Sequence, residues 1–114
     1  MGVKLNTRQI GDVVLVDVSG RITLNEGSSA LREEIRALRD KGTKKVVLNF
    51  GEVTYVDSAG LGELISGYTS MARAGGTLKL LRPTKRIKDL LQITHTYTLF
   101  DVHDDEAQAV RSFT

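Results

Sequence analysis

The stretch Val53-Thr-Tyr-Val-Asp-Ser-Ala-Gly-Leu-Gly62 decides how this chain folds. Its first four residues are β-branched or aromatic, which favours a strand or a strand-side loop. Further along, apolar residues recur three and four positions apart, which predicts a helix that begins near Ser58 and buries one face. These apolar positions are Leu61, Leu64, Ile65, Tyr68 and Met71. Asp57 and Ser58 are therefore expected where a strand-side loop turns into a helix.

The start of this helix is suited to an anion. The first turn of a helix leaves backbone N–H groups without partners, and the aligned peptide dipoles add positive potential there. The hydroxyl of Ser58 can therefore cap the helix or carry a phosphate group. Gly60 and Gly62 each cost helix stability, about 1 kcal/mol relative to alanine, but they let another backbone approach closely. We interpret this segment as a surface that presents Ser58.

Strands are expected on both sides of this segment. The Gly11-Asp12 pair predicts a tight turn between two antiparallel strands, of which the first lies at a sheet edge and the second ends at Gly20. An apolar run just before the quoted stretch has the character of a central strand. The predicted strands comprise residues 3–10, 13–18, 45–50 and 77–81, with a weaker one at 96–102.

Three further helices are predicted, each with its own apolar stripe. The first follows a connection at residues 21–27, with Ser28 or Ser29 as its cap and Gly42 as its left-handed end. The stripes are Leu31, Ile35 and Leu38 in this helix, Ile87, Leu90 and Leu91 in a two-turn helix, and Ala107, Val110 and Phe113 in a last helix capped by Asp105. The element order ββαβαβαβα predicts one α/β domain over residues 1–114. Its mostly parallel central sheet has about five strands with an antiparallel N-terminal edge hairpin, and about four helices pack on it.

Composition narrows the classes of function. The 114 residues include 16 Lys and Arg against 14 Asp and Glu, a formal net charge of +2 that is too small to indicate nucleic-acid binding. Cysteine is absent, which excludes disulfides and thiolate sites. No apolar run reaches the roughly 20 residues of a membrane span. We therefore expect a cytoplasmic protein that contacts neither nucleic acid nor membrane.

Motifs for catalysis and for cofactors fail at specific positions. A nucleophile elbow requires Gly-x-Ser-x-Gly, and Val56 occupies the place of the first glycine. A dinucleotide signature requires a third glycine where Ile65 stands. His95 and His103 are isolated from other ligand-type side chains, which argues against a metal site. We expect a protein that is not an enzyme, with no catalytic residues, metal or cofactor.

The chain resembles the STAS-domain anti-sigma-factor antagonists of bacteria. The likeness is carried by residues 46–50, by the quoted stretch and by Gly75-Gly-Thr-Leu-Lys-Leu80, and its most specific part is Asp57-Ser58-x-Gly60-Leu61-Gly62. The resemblance implies that Ser58 is phosphorylated by a partner serine kinase that is also the anti-sigma factor. It further implies that the unphosphorylated form binds this kinase and frees the sigma factor, and that a serine phosphatase restores that form.

The expected docking face joins the start of the Ser58 helix to the connection at residues 21–28, because loops at the carboxyl ends of parallel strands lie on one edge of a sheet. Its candidate residues are Glu26, Ser28, Asp57, Ser58, Gly60, Leu61, Gly62 and Glu63. Two alternatives stay open. Ser58 can be a plain helix cap, and the domain can be a STAS scaffold that binds a nucleotide, a small molecule or another regulatory protein without a phosphorylation cycle.

Overall fold

A five-stranded mixed sheet organises the fold in a computed structural model that describes residues 3–113. The predicted element order is confirmed, with one additional 3₁₀ turn. The elements are β1 (Val3–Ile10), β2 (Val13–Ile22), α1 (Ser28–Asp40), β3 (Lys45–Val56), α2 (Ser58–Arg73), β4 (Thr77–Leu81), α3 (Lys85–Ile93), the 3₁₀ turn (Tyr97–Leu99), β5 (Val102–His103) and α4 (Glu106–Arg111).

The strands lie side by side in chain order, β1-β2-β3-β4-β5. The first two pair antiparallel with Ile10 opposite Val13, and Gly11 takes a left-handed φ of 62° in the turn between them, so the predicted edge hairpin is confirmed. All other neighbouring strands are parallel. Because a helix connects each pair of parallel strands, the chain leaves β2 and β3 at the same edge of the sheet. This arrangement brings the start of α1 close to the start of α2.

The two faces of the sheet are covered unequally. Helices α1, α2 and α3 pack on one face and bury the predicted residues Leu31, Ile35, Leu38, Leu61, Leu64, Met71, Ile87 and Leu91. The short helix α4 packs on the other face, where Ala109 is fully buried and Phe113 is partly buried. The expectation that Ala107 docks this helix is wrong, because it lies about 200° around the helix from Ala109 and is exposed.

Two strands run further than the sequence predicts. β2 continues through Gly20, which adopts a φ of 98°, and ends only at Ile22. β3 extends without a break from Lys45 to Val56 and includes the residues expected to form a loop. The pairing of these strands shifts register twice, between Asp17 and Ser19 and again after Gly20. The two register shifts thus lie within the pairing of β2 with β3, and the sheet extends to Val56, just before the start of α2.

The predicted weak strand at residues 96–102 is wrong in most of its length. Residues Tyr97–Leu99 form a 3₁₀ turn, and only Val102–His103 pair with the end of β4. The N–H of Thr96 donates to the carbonyl of Leu91 at 2.9 Å, so this segment is held against the end of α3. Local hydrogen bonds to the preceding helix therefore replace sheet pairing here.

Helix α1 begins without the predicted serine cap. Its N-cap is Gly27, which has a left-handed φ of 84°, and no side chain caps the helix. A Cβ atom on Gly27 would lie 2.4 Å from the carbonyl oxygen of Arg21, so this position excludes side chains. Ser28 becomes the first residue of the helix and is buried. The left-handed Gly42 at the other end is confirmed, with a φ of 85°.

No helix within residues 3–113 has the length and apolar content that crossing a membrane requires.

Candidate functional site

Asp57 fixes the junction between β3 and α2. One carboxylate oxygen accepts a hydrogen bond from the N–H of Gly60 at 2.8 Å, and the extended backbone of Asp57 places it at the N-cap. Its own N–H donates to the carbonyl of Ile22 at 3.2 Å, which ties the junction to the end of β2. Asp57 is therefore the cap, and the interpretation of Ser58 as the capping residue is wrong.

The same carboxylate holds the connection between β2 and α1. Its second oxygen accepts a hydrogen bond from the N–H of Leu24 at 3.1 Å. Within that connection, Thr23 and Glu26 exchange two backbone hydrogen bonds, of 2.6 and 3.2 Å. The connection and the start of α2 thus form one surface, as the position of both at one sheet edge predicts.

Hydrogen bonds also lower the pKa of Asp57 below its ordinary value. The N–H of Gly60 has the largest effect, and the N–H groups of Leu24 and Ala59 add to it, while desolvation opposes them. Each of these donors stabilises the ionised carboxylate more than the neutral acid. A fixed negative charge therefore stands next to Ser58 at neutral pH.

Ser58 is the first residue of α2 and its side chain is exposed. Within residues 3–113 its hydroxyl makes no hydrogen bond, since the capping role belongs to the neighbouring aspartate. The hydroxyl lies beside the first N–H groups of a 16-residue helix, where the helix dipole favours negative charge. A phosphoryl group can be added at this atom without the loss of the cap or of a packed contact.

The two glycines that follow have different physical roles. A Cβ atom on Gly60 would meet the carbonyl oxygen of Ile22 at 2.2 Å, so Gly60 is required where α2 lies against the end of β2. A Cβ atom on Gly62 would meet nothing within 4 Å, and this residue is exposed. Packing inside the described chain therefore explains the first glycine and leaves the second without a structural reason.

The remaining candidate residues divide by burial. Ser28 and Leu61 are each 4% exposed. Their side chains pack beneath the surface around Ser58 and cannot contact a partner. Glu63 pairs with Arg32 at 2.9 Å, and Glu26 pairs with Arg21 at 3.3 Å. Both glutamates are partly exposed at the border of the surface around Ser58.

Leu24 belongs to this surface and is missed by the sequence reasoning. It is 72% exposed, in the connection whose backbone is held by Asp57. The hydrogen bond to Asp57 holds the backbone of Leu24, so its apolar side chain is presented to solvent at a fixed place beside Ser58. The sequence signal is weak, because a single apolar residue between Thr23 and Asn25 has no periodicity to set it apart.

An aromatic and cationic cluster lies next to the Ser58 surface. The guanidinium carbons of Arg21 and Arg86 lie 5.1 and 5.2 Å from the ring centroid of Tyr55, within the range of cation–π attraction. This cluster joins the ends of β2 and β3 to the first turn of α3. The described residues contain no group of three or more His, Cys, Asp or Glu side chains arranged to hold a metal ion.

Nearly the whole chain is similar to proteins of one known family. Residues 4–109 match the STAS domain family. The anti-sigma-B factor antagonist of Bacillus subtilis (strain 168) is 27% identical over 103 residues, which cover 90% of this chain and 92% of that protein.

Two solved structures share the fold. A crystal structure of an anti-sigma factor antagonist from Mycobacterium paratuberculosis superposes with a TM-score of 0.85 at 19% identity, and covers 97% of this chain and 93% of its own. The phosphorylated form of the Bacillus cell fate determinant SpoIIAA superposes with a TM-score of 0.77 at 16% identity, and covers 97% of this chain and 100% of its own.

Proposed function

The chain belongs to the STAS domain family, and on this basis we propose that it is an anti-sigma factor antagonist controlled by phosphorylation of Ser58. The unphosphorylated form binds an anti-sigma serine kinase, which then releases its sigma factor. Phosphorylation of Ser58 blocks this binding, and a serine phosphatase restores the binding form. The protein itself is a regulatory binding protein and not an enzyme, and it acts in the cytoplasm, where the kinase finds ATP.

The observation that carries the proposal is the free, exposed hydroxyl of Ser58 at the start of α2. Asp57 satisfies the N–H of Gly60, so Ser58 is not needed to start the helix. A kinase can reach the hydroxyl without unfolding any described element. A phosphate placed there is stabilised by the N–H groups and the dipole at the start of α2. Its relatives named as anti-sigma factor antagonists support the same assignment.

The proposed modification is an ordinary phosphoryl transfer. The hydroxyl oxygen of Ser58 forms a bond to the γ-phosphorus of ATP, the bond from this phosphorus to ADP breaks, and the hydroxyl proton passes to a base on the kinase. The phosphatase hydrolyses the ester: water attacks the phosphorus, its bond to the oxygen of Ser58 breaks, that oxygen takes up a proton, and inorganic phosphate leaves. The antagonist contributes an accessible, well-positioned acceptor and no catalytic group.

Electrostatics explains how one phosphate can block binding. It adds about −1.5 to −2 charges beside the ionised Asp57, and partner binding would desolvate this group. A hundredfold loss of affinity requires only about 2.7 kcal/mol. The desolvation and charge repulsion of one dianion supply that amount, so no change of fold is needed.

The proposed contact surface follows from exposure. Its centre consists of Ser58, Gly62 and Leu24, and Asp57, Glu26 and Glu63 form its partly exposed border. Ser28, Gly60 and Leu61 are buried beneath it and keep its shape. The proposal therefore separates the candidate residues into direct contacts and supports.

Phosphopeptide mapping of the native protein, combined with affinity capture of partners from native cytoplasm, tests the proposal. We expect phosphate on Ser58, capture of a serine kinase by wild type and by Ser58→Ala, and weak capture by Ser58→Asp. Thr98→Asp is the matched control, since Thr98 is exposed on the 3₁₀ turn between α3 and β5, outside the surface around Ser58, and it should capture the kinase like wild type. If Ser58→Asp captures the kinase as well as wild type, the proposal fails.

One observation favours a second candidate function, the binding of a small molecule. A cavity of about 430 Å³ between the first three strands has a mostly apolar wall with polar groups at several positions, and it is lined by Lys4, Leu5, Asn6, Asp17, Val18, Ser19, Asn49 and Glu52. The amide of Asn49 donates to Asp17 at 2.9 Å, so part of this lining is fixed before any ligand arrives. Nucleotides and polar metabolites can be screened through the side-chain amide signals of Asn6 and Asn49. Unchanged signals with every compound would remove this candidate.

A further inference from the structure

A polar groove runs between α1 and α2, beginning one turn beyond Ser58. It consists of two adjoining cavities of about 620 and 310 Å³ that share Arg39, Ser66 and Ser70. Along α2 it extends from Gly62 to Ala74, a rise of about 18 Å at 1.5 Å per residue. An extended peptide covers that length with five to six residues, at about 3.3 Å each.

The lining of the groove is strongly cationic. It contains Arg32, Arg36, Arg39 and Arg73 and a single acidic residue, Glu63. This local excess is larger than the formal net charge of the whole chain, which is +2. The groove therefore carries a local excess of positive charge and begins one turn beyond Ser58.

Only part of this charge is neutralised within the described chain. Arg32 is paired with Glu63 at 2.9 Å. Arg39 bonds to Asp40 at 3.0 Å, and its other terminal nitrogen donates to the hydroxyl of Ser70 at 2.8 Å, which fixes it across the groove. Arg36 and Arg73 are exposed and form no ion pair within residues 3–113. Two guanidinium groups are thus available for anionic groups from outside.

The shape of the groove suits a peptide. Its floor is built from small residues on α2, namely Gly62, Ser66, Gly67, Thr69 and Ser70. A Cβ atom on Gly67 would lie 2.6 Å from Ile35, so the two helices approach closely beneath the floor. No aromatic side chain lines either cavity, and base stacking on aromatic rings is the usual basis of binding to single-stranded nucleic acid.

We propose that this groove binds an acidic segment of the protein partner, about five or six residues long, while the partner covers Ser58. The guanidinium groups of Arg36 and Arg73 bind aspartate and glutamate carboxylates of that segment, since the planar fork of arginine matches a carboxylate in two parallel hydrogen bonds. This inference rests on the proposed function for the identity of the partner. It adds a second attachment point that is independent of the phosphorylation state.

A defined peptide tests the groove without the natural partner. The probe is a fluorescein-labelled hexapeptide of aspartate and glutamate, compared with its asparagine and glutamine counterpart by fluorescence anisotropy. We expect the acidic peptide to bind, the neutral one to bind at least about tenfold more weakly, and added salt to weaken the acidic complex. Absence of binding, or equal binding of both peptides, would overturn the proposal.

Charge reversal locates the binding. Arg36→Glu combined with Arg73→Glu should weaken the acidic peptide at least about tenfold. Lys41→Glu combined with Lys85→Glu makes the same change in net charge at two exposed lysines outside the groove, and should leave binding within about twofold. Equal loss in both variants would show nonspecific attraction and overturn the proposal. Arg36→Gln with Arg73→Gln keeps the test available if the reversed variant does not fold.

The outcomes also separate this inference from the proposed function. If the acidic peptide does not bind while Ser58 still controls capture of the kinase, only the proposal for the groove is overturned, because the peptide assay uses neither the partner nor phosphate. If the acidic peptide binds but Ser58→Asp captures the kinase as well as wild type, only the phosphorylation switch is overturned. A short single-stranded oligonucleotide that binds through Arg36 and Arg73 when the acidic peptide does not would assign the groove to nucleic acid and overturn the proposal.

Discussion

Gly60 lies directly against Ile22, so closely that a Cβ atom on Gly60 would come within 2.2 Å of the carbonyl oxygen of Ile22. The same oxygen accepts a hydrogen bond from the N–H of Asp57 at 3.2 Å. The first turn of α2 is thus seated on the last residue of β2. This contact sets the position of Ser58 relative to the connection that follows β2.

The contact predicts opposite effects of one substitution at two glycines. Gly60→Ala should destabilise the protein by about 1–3 kcal/mol, because the methyl group must displace backbone atoms. Gly62→Ala should stabilise it by up to about 1 kcal/mol, because position 62 is open and alanine is the better helix former. Equilibrium unfolding in urea measures both changes. Similar free energies of unfolding for the two variants would contradict the assignment of Gly60 as a packing residue.

The same Gly62→Ala variant should bind its kinase partner less well despite a more stable fold. Gly62 is exposed next to Ser58 and lines the groove between α1 and α2, so an added methyl group would keep a partner backbone at a distance. We expect about a tenfold loss of affinity, measured by titration calorimetry with the captured kinase. Unchanged affinity would show that Gly62 is not a contact.

These glycines show where the sequence suffices and where it does not. The apolar spacing after Ser58 correctly predicts α2, and the Gly11-Asp12 turn and the alternation of strands and helices correctly predict the sheet. Gly60 and Gly62 look equivalent in the sequence, because the contact with Ile22 is made across 38 positions of the chain. Only the folded arrangement distinguishes the glycine that packs from the glycine that is open.

Long-range contacts also explain why Asp57 caps α2 while the hydroxyl of Ser58 stays free within the described chain. Both residue types are good helix caps, so local preference leaves the choice between them undecided. In the structure Asp57 has the extended backbone of an N-cap, and the N–H of Leu24, which is distant in sequence, stabilises it there through its second oxygen. The weak strand predicted at residues 96–102 fails for the same kind of reason, since hydrogen bonds to the end of α3 outcompete sheet pairing there.

Asp57 should contribute to stability in a pH-dependent way. Its pKa in the folded protein lies below the unfolded value of 3.8, chiefly because the N–H of Gly60 binds the ionised form. The contribution is therefore fully present above about pH 4 and is lost as the pH falls through the folded pKa. Carboxyl carbon NMR should give a midpoint below 3.8 for Asp57. In Asp57→Asn the fall of stability at acid pH should be shallower than in wild type, and an unchanged slope would contradict this linkage.

Phosphorylation should change the surface and leave the fold intact. Because Ser58 is exposed and makes no hydrogen bond within residues 3–113, its phosphate displaces no internal partner. We expect amide chemical shifts to change in the connection at residues 23–27 and in the first two turns of α2, and to stay constant in β4, β5 and α4. The measurement is a pair of amide spectra of the two forms. Changes spread through the sheet would indicate a rearrangement and contradict the surface switch.

Leu24 should act as an apolar anchor for the partner. It is 72% exposed while its backbone N–H is held by Asp57, so its side chain contributes little to the core and is presented in a fixed place. Leu24→Ala should therefore leave the free energy of unfolding within about 0.5 kcal/mol. It should weaken kinase binding at least about tenfold, because a bound partner would bury the leucine side chain.

Ile93→Ala provides the matched control for this anchor, because Ile93 is 73% exposed at the end of α3 and lies outside the surface around Ser58. Both variants remove a similar exposed apolar side chain, so a nonspecific loss of hydrophobic attraction would weaken kinase binding equally in the two. A loss confined to Leu24→Ala, measured by calorimetry beside urea unfolding of both proteins, would place the partner on the connection between β2 and α1. Equal affinities for Leu24→Ala and wild type would remove Leu24 from the contact surface.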